Sequence, residues 1–377
     1  MDFEFTEYQK TLMSTARDIV AKEGGTALIR EQMANRSGYD EKRWKRMAEL
    51  GWLGVLIPEV YGGLEGEFME LAILQEAMGE VCFPGPFFST AVLGAMTILL
   101  AGSDTQKEKL LPRVAEGGLI LSLAEKEPGG WDDARGIATE ARSDGNAYIL
   151  QGTKLFVENA DVAQTILCAA RTGKDGAPEE GISLFLVDPA AEGVRVTVME
   201  TLGFDGQCEV VLDDVRIPAE NRLGNEGTAW ETLVKVNQIA ALAKCADIVG
   251  GLKTTLDTAV AYAKKREQFG VPIAKFQAIQ HHCANMMVDV DTLRFLTYKA
   301  AWTLDQGLPA TREISMAKAW MGPASHRVTL LGHQIHGGTS FCEEMDMHLY
   351  FRRAKVAALS FGTTDDHLET VARAMGM

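Results

Sequence analysis

Two places in the chain carry residue types suited to holding an anion. Arg266 stands in the run Arg266-Glu-Gln-Phe269-Gly270, just ahead of Phe276-Gln277, and an arginine offers a rigid fork of donors to phosphate oxygens. Gly337-Gly338 follow Gln334-Ile-His336, and paired glycines let backbone N–H groups approach a ligand closely. Each also has a plainer reading, because an arginine at a helix end is usually solvated and two glycines can simply end a helix. Metal chemistry finds no support. His281-His282 lack a third ligand at helical spacing, and His336, a lone histidine, reads as structural. The six cysteines, at 82, 168, 208, 245, 283 and 342, form no CxxC pair and read as reduced, buried thiols.

Three kinds of segment must position these residues. From Thr6 to Val114 the apolar spacing is helical, as in Tyr8, Leu12 and Ile19 or Trp44, Met47 and Leu50, with breakers at Pro58 to Gly63 and Phe83 to Pro86. Ser103 reads as the cap of a short helix ending near Gly117-Gly118. At about Leu119 the period changes to that of six or seven short strands, and Gln151-Gly152 predicts a hairpin that sets Lys154 to Val157 antiparallel to Tyr148 to Leu150. Beyond Gly224, Val249, Leu252, Leu256 and Val260 mark one face of a very long helix. Gly250-Gly251 inside it predict the close approach of another backbone. Further helices are expected from about Gln277 to Gln306, from Thr311 to Gly332, and from Tyr350 to the end.

Composition narrows the function classes. At 377 residues and 46% hydrophobic, the chain can fill two or three cores. A formal charge of −15 repels nucleic acid and anionic lipid, so neither is an expected partner. The longest apolar stretches, such as Ala91 to Ala101, are too short to span a membrane, and no basic and apolar leader opens the chain. A cytoplasmic protein is the expectation.

The succession of motifs resembles the acyl-CoA dehydrogenase family over essentially the whole chain. The landmarks, in order, are Tyr61-Gly62-Gly63, Glu127-Pro128-Gly129, Lys154 to Asn159, Asp214-Val-Arg-Ile-Pro218 with Asn221-Arg-Leu-Gly224, Arg266 to Gly270 with Phe276-Gln277, Gln334 to Gly338, and Gly362-Thr363. No one match is specific, and their joint order carries the resemblance. It implies an α+β fold: an N-terminal helical domain (1–118), a middle β domain (119–223) and a C-terminal four-helix bundle (224–377), assembled as a tetramer. It also implies FAD held between the β domain and the C-terminal helices. Arg266, Phe269 and Gln277 would contact its pyrophosphate and adenosine from one subunit, and Gln334, Gly337 and Gly338 from another. Glu125, Lys126, Phe156, Glu158 and Thr363 would complete the cofactor contacts, and Asp132, Phe361 and Gly362 would face the substrate.

Family chemistry removes the proton α to a thioester and delivers the β-hydrogen as hydride to flavin, which needs a carboxylate base. Most relatives carry it in a Tyr-Glu-Gly-Thr stretch; here that stretch is Ser360-Phe361-Gly362-Thr363, and the glutamate position is Phe361. A minority place the base at the position matching Ala240, here followed by Ala241, which leaves that alternative empty as well. In the β domain, Phe156-Val157-Glu158-Asn159 replaces the usual Trp-Ile-Thr-Asn, Lys126 replaces a threonine, and Trp131-Asp132-Asp133 replaces a Gly-Ser-Asp turn. Glu158 is therefore the candidate for a displaced acid or base, against the plain reading of an outward-turned glutamate. The expected function is FAD-dependent oxidation of an acyl-CoA to the 2,3-enoyl-CoA, with an electron-transfer flavoprotein or similar acceptor as partner. Two alternatives stand beside it: an acyl-CoA lyase of the decarboxylase or desulfinase type, and a non-catalytic subunit of a hetero-oligomer with a related chain.

Overall fold

Capping chemistry sets several helix boundaries. Thr6 accepts the N–H of Gln9 while the Gln9 side chain bonds back to Thr6, which opens helix Glu7–Lys22. The same reciprocal box, Ser103 with Gln106, opens helix Asp104–Ala115 as its sequence predicts. The computed structural model describes residues 5–35, 39–130, 133–173, 176–203 and 205–377. Its chain divides into two compact units, one of residues 1–30, 67–83 and 240–377, the other of 31–66 and 84–239.

The second unit is built on a sheet. Its strands are β1 (Leu121–Ala124), β2 (Glu140–Ser143), β3 (Ala147–Glu158), β4 (Thr165–Arg171), β5 (Ile182–Val187), β6 (Val194–Val198), β7 (Gln207–Pro218) and β8 (Arg222–Leu223). Among the described residues they form one sheet in the order β6-β7-β3-β2-β4-β5-β8, with β1 added in parallel to β4. Helix Glu41–Glu49 ties to this unit through Trp44, whose indole N–H donates to the carbonyl of Gly117 at 2.8 Å.

The hairpin expected at Gln151-Gly152 does not form. Both flanking runs belong to the single strand β3, which pairs along its length with β7 and shifts register between Leu150 and Gly152. A Cβ on Gly152 would stand 2.4 Å from the Thr139 hydroxyl, so the glycine serves a close crossing rather than a turn. Strand β2 was not foreseen, because Glu-Ala-Arg-Ser buries only Ala141 and carries no apolar run.

Helices make up the first unit. They are Glu7–Lys22, Phe68–Gly79, most of the 36-residue Trp230–Lys265, Gln277–Asp305, Thr311–His336, Met347–Leu359 and Thr364–Ala374. Val249, Leu252, Met286, Leu293, Met321 and Val328 lie in its core, each at most 4% exposed. The approach predicted at Gly250 is present: a Cβ there would lie 1.9 Å from the carbonyl oxygen of Glu76. Asp247, buried, receives both N–H groups of the Arg353 guanidinium at 2.8 and 2.6 Å. The final helix is not continuous from Tyr350. It breaks at Ser360 to Thr363, where Phe361 and Gly362 take φ of +55° and +92°.

Thiol burial is also uneven. Cys82, Cys168, Cys208 and Cys245 are buried, whereas Cys283 is half-buried and Cys342 exposed. Burial pushes the Cys82 and Cys245 thiols up to about 12 and holds them protonated. Among the described residues, no helix is long and apolar enough to cross a membrane.

Candidate active site and cofactor contacts

In the sheet unit, the segment leaving β1 is fastened residue by residue. Lys154 on β3 is fully buried and forms an ion pair with Glu127; its ammonium also donates to the carbonyl of Glu125 at 3.3 Å. The Glu127 carboxylate accepts two further N–H groups, from Ala138 at 3.1 Å and Thr139 at 3.0 Å. Leu155 N–H donates to the carbonyl of Lys126 at 2.9 Å. The Glu125 carboxylate is held by the side-chain amide of Asn237, whose Nδ2 lies 3.0 Å from each carboxylate oxygen. The side-chain oxygen of the same asparagine is buried without a partner among the described residues.

Three residues on, β3 slips register against β7 between Lys154 and Val157. Within that slip Phe156 takes φ of +55° and its ring is 56% exposed. Glu158 ends the strand paired with Gln207, only 8% exposed, and its carbonyl accepts the Ser122 hydroxyl at 2.7 Å. Glu125 and Lys126 thus lie against β3, whose end carries Phe156 and Glu158. Asp132 and its neighbour Trp131 lie outside the described residues.

In the helical unit, the Phe361-Gly362 turn is held by its two carbonyls. His367 Nε2 lies 2.9 Å from the Phe361 oxygen, and its Nδ1 lies 3.2 Å from the Ser315 hydroxyl. These partners fit a neutral ring that donates from Nε2 and accepts at Nδ1, and burial lowers the His367 pKa accordingly. Lys318, 1% exposed, donates to the Gly362 carbonyl at 2.7 Å and lies 3.5 Å from that of Ala358. Burial drives its pKa down to about 8. Thr363 caps helix Thr364–Ala374. Ala240 and Ala241 are fully buried, whereas Leu359, two residues before Phe361, is exposed.

The anion-suited residues sit elsewhere on the helical unit. Arg266 leads into a hairpin whose two-residue strands, Glu267–Gln268 and Val271–Pro272, are joined by Phe269-Gly270 with φ of +56° and +78°. Phe269 is 93% exposed, with Phe276 edge-on at 6.1 Å, and Gln277 is exposed at the start of the next helix. Gln334, Gly337 and Gly338 are exposed at the far end of helix Thr311–His336, and a Cβ on either glycine would meet nothing within 4 Å. His336 is buried and stacked on Tyr262 at 4.4 Å, with Nδ1 2.8 Å from the carbonyl oxygen of Gly332. An exposed aromatic, an arginine at a helix end and open glycine backbone are what a dinucleotide's phosphates and ring system require. The residues therefore fit FAD.

Residues 6–118 match the acyl-CoA dehydrogenase N-terminal domain, 122–215 the middle domain and 230–376 the C-terminal domain. A probable acyl-CoA dehydrogenase of Bacillus subtilis is 33% identical over 99% of both chains. The chain belongs to the acyl-CoA dehydrogenase family. The CarC subunit of a caffeyl-CoA reductase–Etf complex from Acetobacterium woodii is 31% identical, with 96% of each chain covered. Butyryl-CoA dehydrogenase from Megasphaera elsdenii superposes with a TM-score of 0.92 at 28% identity, covering all of both chains. The fold is that of an acyl-CoA dehydrogenase: N-terminal helices, a middle sheet, then C-terminal helices. The turn at 361 holds a phenylalanine at the position where the resemblance leads one to expect a carboxylate.

Sequence reasoning missed Asn237, Lys154, Lys318 and His367. A polar residue three positions before Ala240 was the one local signal for Asn237. The other three act on carbonyls or carboxylates that no spacing rule connects to them.

Proposed function

We propose that the chain binds FAD without a covalent bond and oxidises an acyl-CoA thioester to its 2,3-enoyl-CoA, using a carboxylate displaced from position 361. The observation that carries this reading is the retention of the open contact surfaces of Arg266, Phe269, Gly337 and Gly338, while the changes fall on residues near the reacting carbons. Arg266, Phe269 and Gln277 would hold the pyrophosphate and adenosine, with Gln334, Gly337 and Gly338 of a neighbouring copy doing the same. Glu125, Lys126, Phe156, Glu158 and Thr363 would border the flavin, and Asp132, Phe361 and Gly362 the acyl group. FAD, when bound, supplies the acceptor for the β-hydrogen and its electron pair. Glu158 would serve as acid or base, or turn aside while its backbone N–H does the work.

An electron-transfer flavoprotein would then take the electrons, a partner supported by the relative named for its complex with one. The assembly would be a homotetramer or a hetero-oligomer with a related subunit, in the cytoplasm, with domains at 1–118, 119–223 and 224–377.

The purified protein should be yellow, and an acyl-CoA should bleach its flavin. A colourless protein that takes up no added FAD overturns the reading. A flavoprotein that no acyl-CoA reduces shifts it to the lyase, if mass analysis finds a cleaved product, or otherwise to a non-catalytic subunit. Arg266→Ala should weaken FAD retention, read as flavin absorbance per chain after gel filtration.

A further inference from the structure

Resting on that reading, we infer that Glu125 is the catalytic base and that Asn237 is its positioning residue. A displaced base must be a carboxylate that is held in place and delivered to the reacting carbon. Glu125 meets the first condition by geometry. Both of its oxygens are bound by Asn237 Nδ2 at 3.0 Å, its carbonyl is bound by buried Lys154, and the Lys154–Glu127 pair fixes the residue two positions on. Asn237 supplies the second. It lies on helix Trp230–Lys265 three residues before Ala240, so the two positions are neighbours one turn apart on that helix. Ala240 is where a minority of the family, by resemblance, carries the base. The carboxylate missing at Ala240 thus has an amide one turn before it, and that amide holds a carboxylate from the segment after β1.

The asparagine also suits both protonation states of its partner. Its Nδ2 donates to the carboxylate as observed. Once Glu125 is protonated it becomes a donor, and a half-turn of the amide offers Oδ1, now buried without a partner among the described residues, as the acceptor. In the reaction the Cα–H bond breaks and its proton passes to a Glu125 oxygen, while the bond's electron pair forms the Cα=Cβ double bond. The Cβ–H bond breaks and its hydrogen leaves with the bonding pair as hydride, for which bound FAD would be the two-electron acceptor.

The test compares Glu125→Gln, Glu158→Gln and Asn237→Ala with the original holoprotein. The probes are butyryl-, octanoyl-, palmitoyl- and cyclohexanecarbonyl-CoA, each deuterated at the α carbon. Flavin reduction and α-deuterium loss should fall about 10²–10⁴-fold in Glu125→Gln. FAD content, and calorimetric affinity for the unreactive thioether S-octyl-CoA, should stay within about twofold, as expected for a group that acts mainly in the transition state. Asn237→Ala should lower kcat about tenfold with KM unchanged, which a merely structural role would not do. Full activity in Glu125→Gln overturns the assignment, as does loss confined to Glu158→Gln. If the original protein is reduced by none of the probes, the oxidation reading itself falls and takes this one with it. Should Glu125→Gln fail to hold FAD, Glu125→Asp decides: a carboxylate drawn back by one methylene slows exchange about tenfold or more if Glu125 is the base, and an unchanged rate overturns it.

Discussion

Two loops of this chain are each fastened by a buried lysine, and they differ in what the lysine meets. Lys154 faces the Glu127 carboxylate and the Glu125 carbonyl, so its charge is compensated inside the sheet unit. Lys318 meets the carbonyls of Gly362 and Ala358, and burial lowers its pKa to about 8. Both lysines pin backbone of segments that, on the proposed reading, border the flavin and the acyl group. One pinned segment carries a glutamate clamped by an amide, and the other carries Phe361, which cannot take a proton. A loop can thus keep its scaffold while its chemistry moves to another loop.

The comparison breaks most visibly on Lys154→Met. Removing one partner of a buried pair leaves Glu127 uncompensated and should cost about 3–5 kcal/mol, read as a lower urea midpoint. Lys318→Met strands no carboxylate and should cost less than half as much. Equal losses would erase the distinction between the two lysines.

Chemistry can be moved back to the other loop. In a Glu125→Gln background, Phe361→Glu should restore α-deuterium loss from octanoyl-CoA by about 10²-fold, since a general base contributes that much even when imperfectly placed. No gain would mean that residue 361 does not face the acyl chain. Backbone geometry gives the next effect. Gly362 has φ of +92°, and an added Cβ would lie 2.7 Å from His367 Nε2, so Gly362→Ala should destabilise the protein by about 1–3 kcal/mol. A neutral result would show that the turn is looser than its two carbonyl bonds imply.

A further effect is electrostatic and is read only as a pH dependence. The folded pKa of Lys318 lies below the 10.5 of an ordinary lysine. Between about 8 and 10.5 the unfolded chain therefore binds more protons, and this residue's contribution to stability rises with pH, by up to about 1.4 kcal/mol per unit. Below about pH 8 the buried ammonium exerts its full penalty. The stability of the original protein minus that of Lys318→Met should climb across this window in urea titrations, and parallel curves would refute it.

Helix starts at Thr6 and Ser103, the long proline-free helix, the glycine approach at Gly250 and the family itself were legible in the sequence. All rest on neighbours within a turn or on the order of motifs along the chain. Periodicity also gave most of the sheet, but it split β3 at Gly152 and passed over β2. A bulge and a largely solvated strand both lack the apolar alternation that marks a strand. The contacts of the active region were decided by tertiary structure alone. Asn237 reaches Glu125 across 112 positions, Lys154 reaches Glu127 across 27, and Lys318 reaches Gly362 across 44. A hydrogen bond between such distant residues leaves no period and no motif in the chain, because it exists only once separately formed helices and strands have docked and set one side chain against another.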